Sequence, residues 1–173
     1  RINVTLNGAP LNDMIDKGVF FSNITDLTNG MRSIQIQRGV GSSRNGTANY
    51  AGSVDLQSPL LAGSPPSGRL QFTTGSFGLY RGSAEVATGV LNDVSMHAKV
   101  TTFTTDGYRY HTGTDSWSAL ASAAWVGESD VVKVTAVGGN TKNGLGYMPV
   151  PKPLVNADPR TNINDTTDHD DFG

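Results

Sequence analysis

The feature that most constrains the fold is an alternation of apolar and polar residues over most of the segment 69–137. Successive side chains of a β-strand point to opposite faces, so this alternation predicts strands with one apolar and one polar face. The apolar members are Leu70, Phe72, Ala84, Val86, Val90, Val94, Met96, Ala98, Val100, Val132, Val134 and Ala136. Only 117–126 leaves the pattern open, because Leu120 and Val126 fall opposite Trp117 and Trp125. The sequence predicts an antiparallel meander with sequential strand pairing.

The turns between these strands alternate in length. Short turns are predicted at 91–93 and 127–130, and longer connections at 75–82, 106–116 and from 138 onward. Runs of roughly ten residues suit tilted membrane-spanning strands better than the ~5–6 residues typical of globular sheets. Short turns on one side and long loops on the other are typical of a transmembrane β-barrel. We therefore expect 68–173 to hold about five barrel strands, with 138–173 as an extended, largely irregular outer loop.

Composition agrees with a β-rich chain and argues against several function classes. Charged residues make up 16% of the 173 residues, glycine occurs 21 times, and no apolar run is long enough for a transmembrane helix. The net charge of -2 offers no basic patch for nucleic acid, and the lack of cysteine excludes disulfides and thiolate metal sites. No spacing of Ser, His and Asp resembles a catalytic triad. We expect neither an enzyme nor a cofactor.

The segment 1–58 has a different pattern. Short alternating runs predict strands at 2–6, 34–37 and 54–57, and a short helix fits between Ser22 and Asn29. These elements form a small α/β unit that cannot bury a core alone. A Gly/Ser/Pro cluster at 63–68 then marks 59–67 as a linker. We expect two units, 1–58 and 68–173, joined by 59–67.

A glycine-rich loop joins the second and third strands of this unit. Arg38-Gly39 is followed by mostly small residues as far as Gly46, and a strand resumes near Gly52. A Walker-type phosphate loop requires Lys and then Ser or Thr after its last glycine, and the residue after Gly46 is Thr, not Lys. A dinucleotide fingerprint requires glycine where Arg44 stands. The glycines are better explained by a close approach of two strands.

This strand–loop–strand, with the upstream segment Leu6-Asn7-Gly8-Ala9-Pro10-Leu11-Asn12-Asp13, resembles the C-terminal half of the plug domain of TonB-dependent outer-membrane receptors. The resemblance covers 2–58, and the pattern of 68–140 is similar to barrel hairpins. It implies a mainly β fold, in which part of a small α/β plug domain precedes antiparallel strands of a transmembrane β-barrel. It also implies an interior piece of a larger receptor in the outer membrane of a Gram-negative bacterium.

The function implied by this resemblance is TonB-dependent uptake of a metal chelate, such as a siderophore or haem, or of a similar nutrient. The expected partners are the TonB inner-membrane complex, acting through a segment absent from this sequence, a small-molecule ligand, outer-membrane lipid and a surface lipoprotein. The alternative is a non-transporting β-rich surface protein, such as an adhesin or a component of a larger complex. The neighbouring sequence discriminates between them, because a barrel requires many further hairpin strands.

The resemblance also assigns roles to single residues. Arg38 is expected to hold the plug through an ion pair with a barrel carboxylate, with Glu85 as the candidate in this chain. An unpaired buried guanidinium is costly, so such a partner would be required unless Arg38 is a solvated residue at a strand end. His97 is expected to be solvated on the polar face of its strand.

The ligand is expected to meet the plug loop and one outer loop below and within the external vestibule. The candidate contacts are Asn12, Asp13, Met14, Phe20 and Phe21 in the plug loop, and Tyr108 and His111 in the outer loop. Phe20 and Phe21 fit equally well as packing anchors, and His111 as an exposed loop residue. The acidic cluster at 165–171 matches no calcium-loop pattern, so we expect a flexible acidic loop and no metal site.

Overall fold

The computed structural model describes residues 2–13, 15, 18–19, 27–39, 51–59, 65–144 and 146–166, and it contains two β-sheets. The first, called here the small sheet, is formed by β1 (Ile2–Leu6), β2 (Ala9–Pro10), β3 (Ser33–Arg38) and β4 (Gly52–Gln57). Its strand order is β2-β1-β4-β3. β1 and β4 are parallel, while β3 pairs antiparallel with β4 and lies at one edge.

Two glycines permit the tight turn and the close strand approach that the small sheet requires. Asn7 and Gly8 both have positive φ, 51° and 83°, and form the tight turn from β1 to β2. Gly52, with φ 149°, lies against the Gln37 carbonyl oxygen, where a Cβ would collide. The close approach of two strands that the sequence predicted beside the glycine-rich loop is therefore present at Gly52.

Only part of the expected helix of this segment is described. A 3₁₀ turn occupies Leu27–Gly30, and residues 22–26 of the expected helix lie outside the described residues. The three predicted strands are confirmed, with β2 as an additional short strand.

The second sheet, called here the meander, contains β5 (Ser67–Gly75), β6 (Leu79–Leu91), β7 (Val94–Thr105), β8 (Thr114–Val126) and β9 (Val131–Asn143). The order is sequential and every pairing is antiparallel. The predicted meander is therefore confirmed. Its strands have 9 to 13 residues, which exceeds the usual strand length in globular sheets.

The ends of the meander differ in their connections. Asn92 and Asp93, with φ of 48° and 65°, form a two-residue turn between β6 and β7. The connection at 127–130 is also short, and both short turns lie at the same end because the strands alternate in direction. At the other end, the long connection expected at 75–82 is wrong: only 76–78 lie between β5 and β6. The expected outer loop from 138 begins later, because β9 continues to Asn143.

A β-bulge changes the face on which one predicted residue lies. The register of β6 against β7 shifts between Ala87 and Val90, and Gly89 within the bulge has φ 68°. Val90 is therefore opposite Ser95, on the polar face, and not on the apolar face with Val86 as expected. β8 alternates regularly, with Leu120 on the polar face and both tryptophans on the apolar face.

The segment after β9 is mostly irregular. It contains a short helix, α1 (Lys152–Ala157), in which Pro153 occupies the first turn, and a 3₁₀ turn at Ile163–Thr166. No helix in the described ranges is long and apolar enough to cross a membrane.

Candidate functional site: the interface between the sheets and the outer loops

The polar face of the meander is buried along β7. Ser95, His97, Lys99 and Thr101 are each at most 6% exposed. Charged and hydroxyl side chains are rarely this buried unless another element covers them. The small sheet and its 3₁₀ turn lie on this face, and Gly30 packs against the aliphatic part of Lys99. The expected solvation of His97 is therefore wrong, because this face of the meander is covered.

An apolar cluster joins the two sheets. Val4 of β1 and Leu56 of β4 pack with Leu120 of β8, and Leu56 is fully buried. The partly buried residues around this cluster are Leu6, Leu11, Val19, Met31 and Val54. Because Leu120 lies on the polar face, the small sheet is held there and not against the apolar face.

A polar network crosses the same interface where β4 ends. The Lys133 ammonium donates hydrogen bonds to Ser58 Oγ at 2.6 Å and to the Pro59 carbonyl oxygen at 2.9 Å. The Asn7 side chain accepts a hydrogen bond from the Ser58 backbone N–H at 3.0 Å and contacts Thr135 Oγ1 at 3.4 Å. Ser122 Oγ donates to Thr135 Oγ1 at 3.1 Å. These contacts connect the end of the small sheet to β8 and β9.

The expected partners Arg38 and Glu85 are not brought together. Glu85 Oε1 lies 3.0 Å from His97 Nε2, so the carboxylate contacts its neighbour on β7. Arg38 is exposed at the end of β3, the edge strand of the small sheet, whose Ile36 is 71% exposed. An ion pair between Arg38 and a carboxylate outside this chain stays a prediction.

The opposite face of the meander is apolar and bare. Leu70, Phe72, Met96, Val100, Val132 and Val134 are all exposed on it. Trp117 and Trp125, each about half exposed, mark two levels of this face on β8. Their eight-residue separation, 117 to 125, is about 27 Å along a strand, or roughly 20 Å across a membrane at the usual strand tilt. Between them, every second side chain points outward and is alanine.

At the other end of the strands, three segments form an aromatic and cationic cluster around Arg160. The guanidinium of Arg160 lies over the Tyr110 ring at 4.7 Å and near the Phe77 ring at 5.7 Å. Its Nε donates to the Tyr108 carbonyl oxygen at 2.9 Å, and the Tyr110 N–H donates to the Arg160 carbonyl oxygen. Asn162 Nδ2 donates to the Tyr110 carbonyl oxygen at 2.8 Å. Segment 146–166 is thus fixed on loop 106–113.

Two solved structures share this arrangement of sheets. The pyoverdine outer-membrane receptor FpvA of Pseudomonas aeruginosa, bound to pyoverdine, superimposes with a TM-score of 0.68 over 80% of this chain at 14% identity. The siderophore receptor PiuA of Acinetobacter baumannii gives 0.63 over 88% at 11% identity. This chain has the fold of TonB-dependent outer-membrane receptors. It spans about a fifth of each receptor's length, 20% and 21%. No protein-family model and no curated protein matches the sequence.

In this receptor fold the small sheet corresponds to the plug and the meander to barrel strands, as the sequence resemblance implied. The exact boundaries 1–58, 59–67 and 68–173 stay predictions, since residues 60–64 lie outside the described ones.

The two described candidates of the plug loop make hydrogen bonds within the small sheet and its loop. Asn12 Oδ1 accepts from the Val4 N–H at 2.8 Å, and Asn12 Nδ2 donates to the Ile2 carbonyl oxygen at 3.0 Å. Asp13 Oδ1 accepts from the Ile15 N–H at 2.7 Å. Met14, Phe20 and Phe21 lie outside the described residues. The geometry therefore gives Asn12 a role in joining the loop to β1, and ligand contact at these positions stays a prediction.

The candidates Tyr108 and His111 lie in the connection between β7 and β8, at the end of the meander opposite the two short turns. Tyr108 is half exposed and meets Phe77 edge-to-face, with ring centroids 5.3 Å apart. His111 has a positive φ of 55° in the same loop. Sequence reasoning missed Arg160 and Lys133 as contact residues. Their partners are 50 or more residues away in sequence, so alternation within a strand carries no signal for them.

Among the described residues, no three His, Cys, Asp or Glu side chains form a group that could hold a metal ion. Residues 168–171 of the acidic cluster are outside the described ranges.

Proposed function

We propose that this chain is the C-terminal part of the plug and the first barrel strands of a TonB-dependent outer-membrane receptor that imports a metal chelate of the siderophore class. The observation that carries this proposal is that the two faces of the meander have different surroundings. Its polar face is buried under the small sheet, while its apolar face is bare between two levels of tryptophan. A barrel in lipid with a plug in its lumen has this arrangement, because lipid covers the outer face.

The siderophore class is supported by the proteins that share the fold. FpvA is a pyoverdine receptor and PiuA a siderophore receptor. The exposed aromatic residues Phe77, Tyr108 and Tyr110 at the loop end offer the apolar surface with nearby polar groups that a small-molecule site requires. The partners that belong to this proposal are the TonB complex, outer-membrane lipid and a surface lipoprotein.

Uptake by the full-length protein tests the function. The complete gene product is expressed in a Gram-negative strain without ferric-siderophore receptors, and accumulation of radioactive iron is measured with a panel of ferric siderophores that includes ferric pyoverdine. We expect the protein in the outer-membrane fraction and uptake of at least one chelate. The same strain without the TonB complex is the control, and it should show no uptake.

Two results would contradict the proposal. A protein secreted in soluble form would exclude the barrel. An outer-membrane protein that imports no chelate, in either strain, would favour the non-transporting surface protein.

A further inference from the structure

The contacts between the small sheet and the meander carry an inference about how the plug is held. β1, β4 and the residues after β4 lie against β8 and β9 through Leu120, Lys133 and Thr135. Within the described part of the chain, these contacts hold the β1–β4 side of the small sheet against the meander.

Lys133 is central to these contacts. Its ammonium group donates to Ser58 Oγ and to the Pro59 carbonyl oxygen, directly after the last residue of β4. Ser58 is 4% exposed, so these hydrogen bonds are shielded from water. Hydrogen bonds from a charged donor are stronger than those between neutral groups, particularly where water is excluded.

Ser58 is in turn fixed to the residue that follows β1, which lies at the same end of the parallel strand pair. Asn7 Oδ1 accepts from the Ser58 N–H, and the Asn7 N–H donates to the Leu56 carbonyl oxygen at 2.8 Å. Asn7 directly follows β1, so its side chain ties the ends of β1 and β4 together. A force on Ser58 is therefore transmitted to both buried strands of the small sheet, and not only to the linker.

We propose that Lys133 is a plug-positioning residue that keeps the β1–β4 side of the plug attached to the barrel wall. This inference rests on the proposed plug-and-barrel arrangement but not on the identity of the ligand. It predicts that contact at Ser58 persists during transport, and that loss of the Lys133 contact loosens a plug that otherwise closes the barrel.

The first test uses the purified full-length receptor in a planar lipid bilayer, with potassium chloride conductance as the readout. Lys133→Met removes the ammonium group and keeps an unbranched side chain that is one atom shorter, and Ser58→Ala removes one acceptor. We expect about a tenfold higher open fraction for Lys133→Met, which corresponds to about 1.4 kcal/mol, and a smaller rise for Ser58→Ala. Lys133→Arg should restore most of the closure, because it keeps a charged donor.

Lys142→Met is the matched control, since Lys142 is an exposed cation on the apolar side of the same strand. Gel mobility with and without heating verifies that each barrel is folded. An unchanged open fraction in folded Lys133→Met, or an equal rise in Lys142→Met, would overturn the positioning role. If Lys133→Met does not fold, the Ser58→Ala result decides.

The second test asks whether the contact persists. Cysteines replace Ser58 and Lys133 in the full-length receptor, and a flexible bis-maleimide links them before uptake of ferric pyoverdine, or of the panel member that the receptor imports, is measured. We expect linked receptors to retain uptake. Loss of uptake in the linked receptor, with normal uptake in each single-cysteine variant treated alike, would show that the plug leaves the wall here. A receptor that transports no chelate fails the proposed function, while the conductance test still decides the role of Lys133.

Discussion

His97 and Lys99 lie two residues apart on β7, and both are buried although neither has the chemistry of a core residue. His97 Nε2 faces Glu85 Oε1, while Nδ1 has no hydrogen-bond partner among the described residues. The alternation along β7 correctly predicted the face on which these side chains lie. The exposure of that face to water depends on whether another element covers it. The position of a second sheet determines this, and the sequence of the strand itself does not.

Substitution of Asn12 tests whether this residue has a structural role or a ligand-binding role. Asn12→Ala removes the acceptor for the N–H of buried Val4 and the donor to the Ile2 carbonyl oxygen. A buried N–H without a partner costs about 1–3 kcal/mol, so the small sheet of the variant should unfold locally more often. The measurement is the rate of limited proteolysis within the plug of the full-length receptor.

Asn12→Asp is the matched control because it keeps the acceptor for Val4, and it should show a smaller change. If Asn12→Ala instead weakens chelate binding while proteolysis of the plug stays at the rate of the unmodified receptor, the ligand-contact role predicted from sequence is correct.

At the scale of elements, the sequence predicted the strands well and their irregularities less well. Alternation and the Asn-Asp turn residues located β6 and β7, whereas the alternation left most of β8 open. The bulge at Gly89 was not predicted, because a single glycine in a strand does not show whether the register shifts there. Phe77 and Gly78 adopt positive φ in a tight turn, so the connection expected at 75–82 is shorter than its composition indicated.

The candidate site was predictable only in part, because some of its contacts join segments that are distant in the sequence. Tyr108 was selected because it lies in a loop, and the structure places it beside Phe77 in the cluster around Arg160. Arg160 was not selected, because its contacts join segments more than 50 residues apart in the chain. Contacts between distant loops depend on how strands align at one end of a sheet, and no local pattern records that alignment.

The aromatic and cationic cluster around Arg160 should respond to loss of the planar guanidinium. Arg160→Lys keeps the charge but loses the stacked geometry over Tyr110 and the Nε hydrogen bond to the Tyr108 carbonyl oxygen. We expect segment 146–166 to be destabilised by about 1–3 kcal/mol relative to loop 106–113. Hydrogen exchange of the Tyr110 amide, which donates to the Arg160 carbonyl oxygen, measures the opening.

Lys152→Ala, at an exposed cation of α1, serves as the control and should leave that exchange rate unchanged. Equal exchange at Tyr110 in Arg160→Lys and in the unmodified receptor would mean that the other contacts alone, including the Asn162 hydrogen bond, hold the segment.

For the whole molecule, the informative property is the difference between the two faces of one sheet. On β8, Leu120 is buried on the polar face, and the next residue, Ala121, points outward on the apolar face. A water-soluble sheet would leave the polar face to solvent and cover the apolar one. Here the small sheet covers the polar face and the apolar face is exposed, which is the arrangement expected of a barrel wall in lipid.

Ala121 lies midway between Trp117 and Trp125 on the bare face and provides the test at this scale. If lipid covers this face, Ala121→Arg in the full-length receptor places a charge near the bilayer midplane and should destabilise the barrel by about 2–4 kcal/mol. Asn140→Arg, opposite Trp117 at the edge of the band, should cost only about 0–1 kcal/mol. Urea unfolding in lipid vesicles compares the two variants. Equal stability of both variants and the unmodified receptor would place this face in water, and the barrel interpretation of the meander would be wrong.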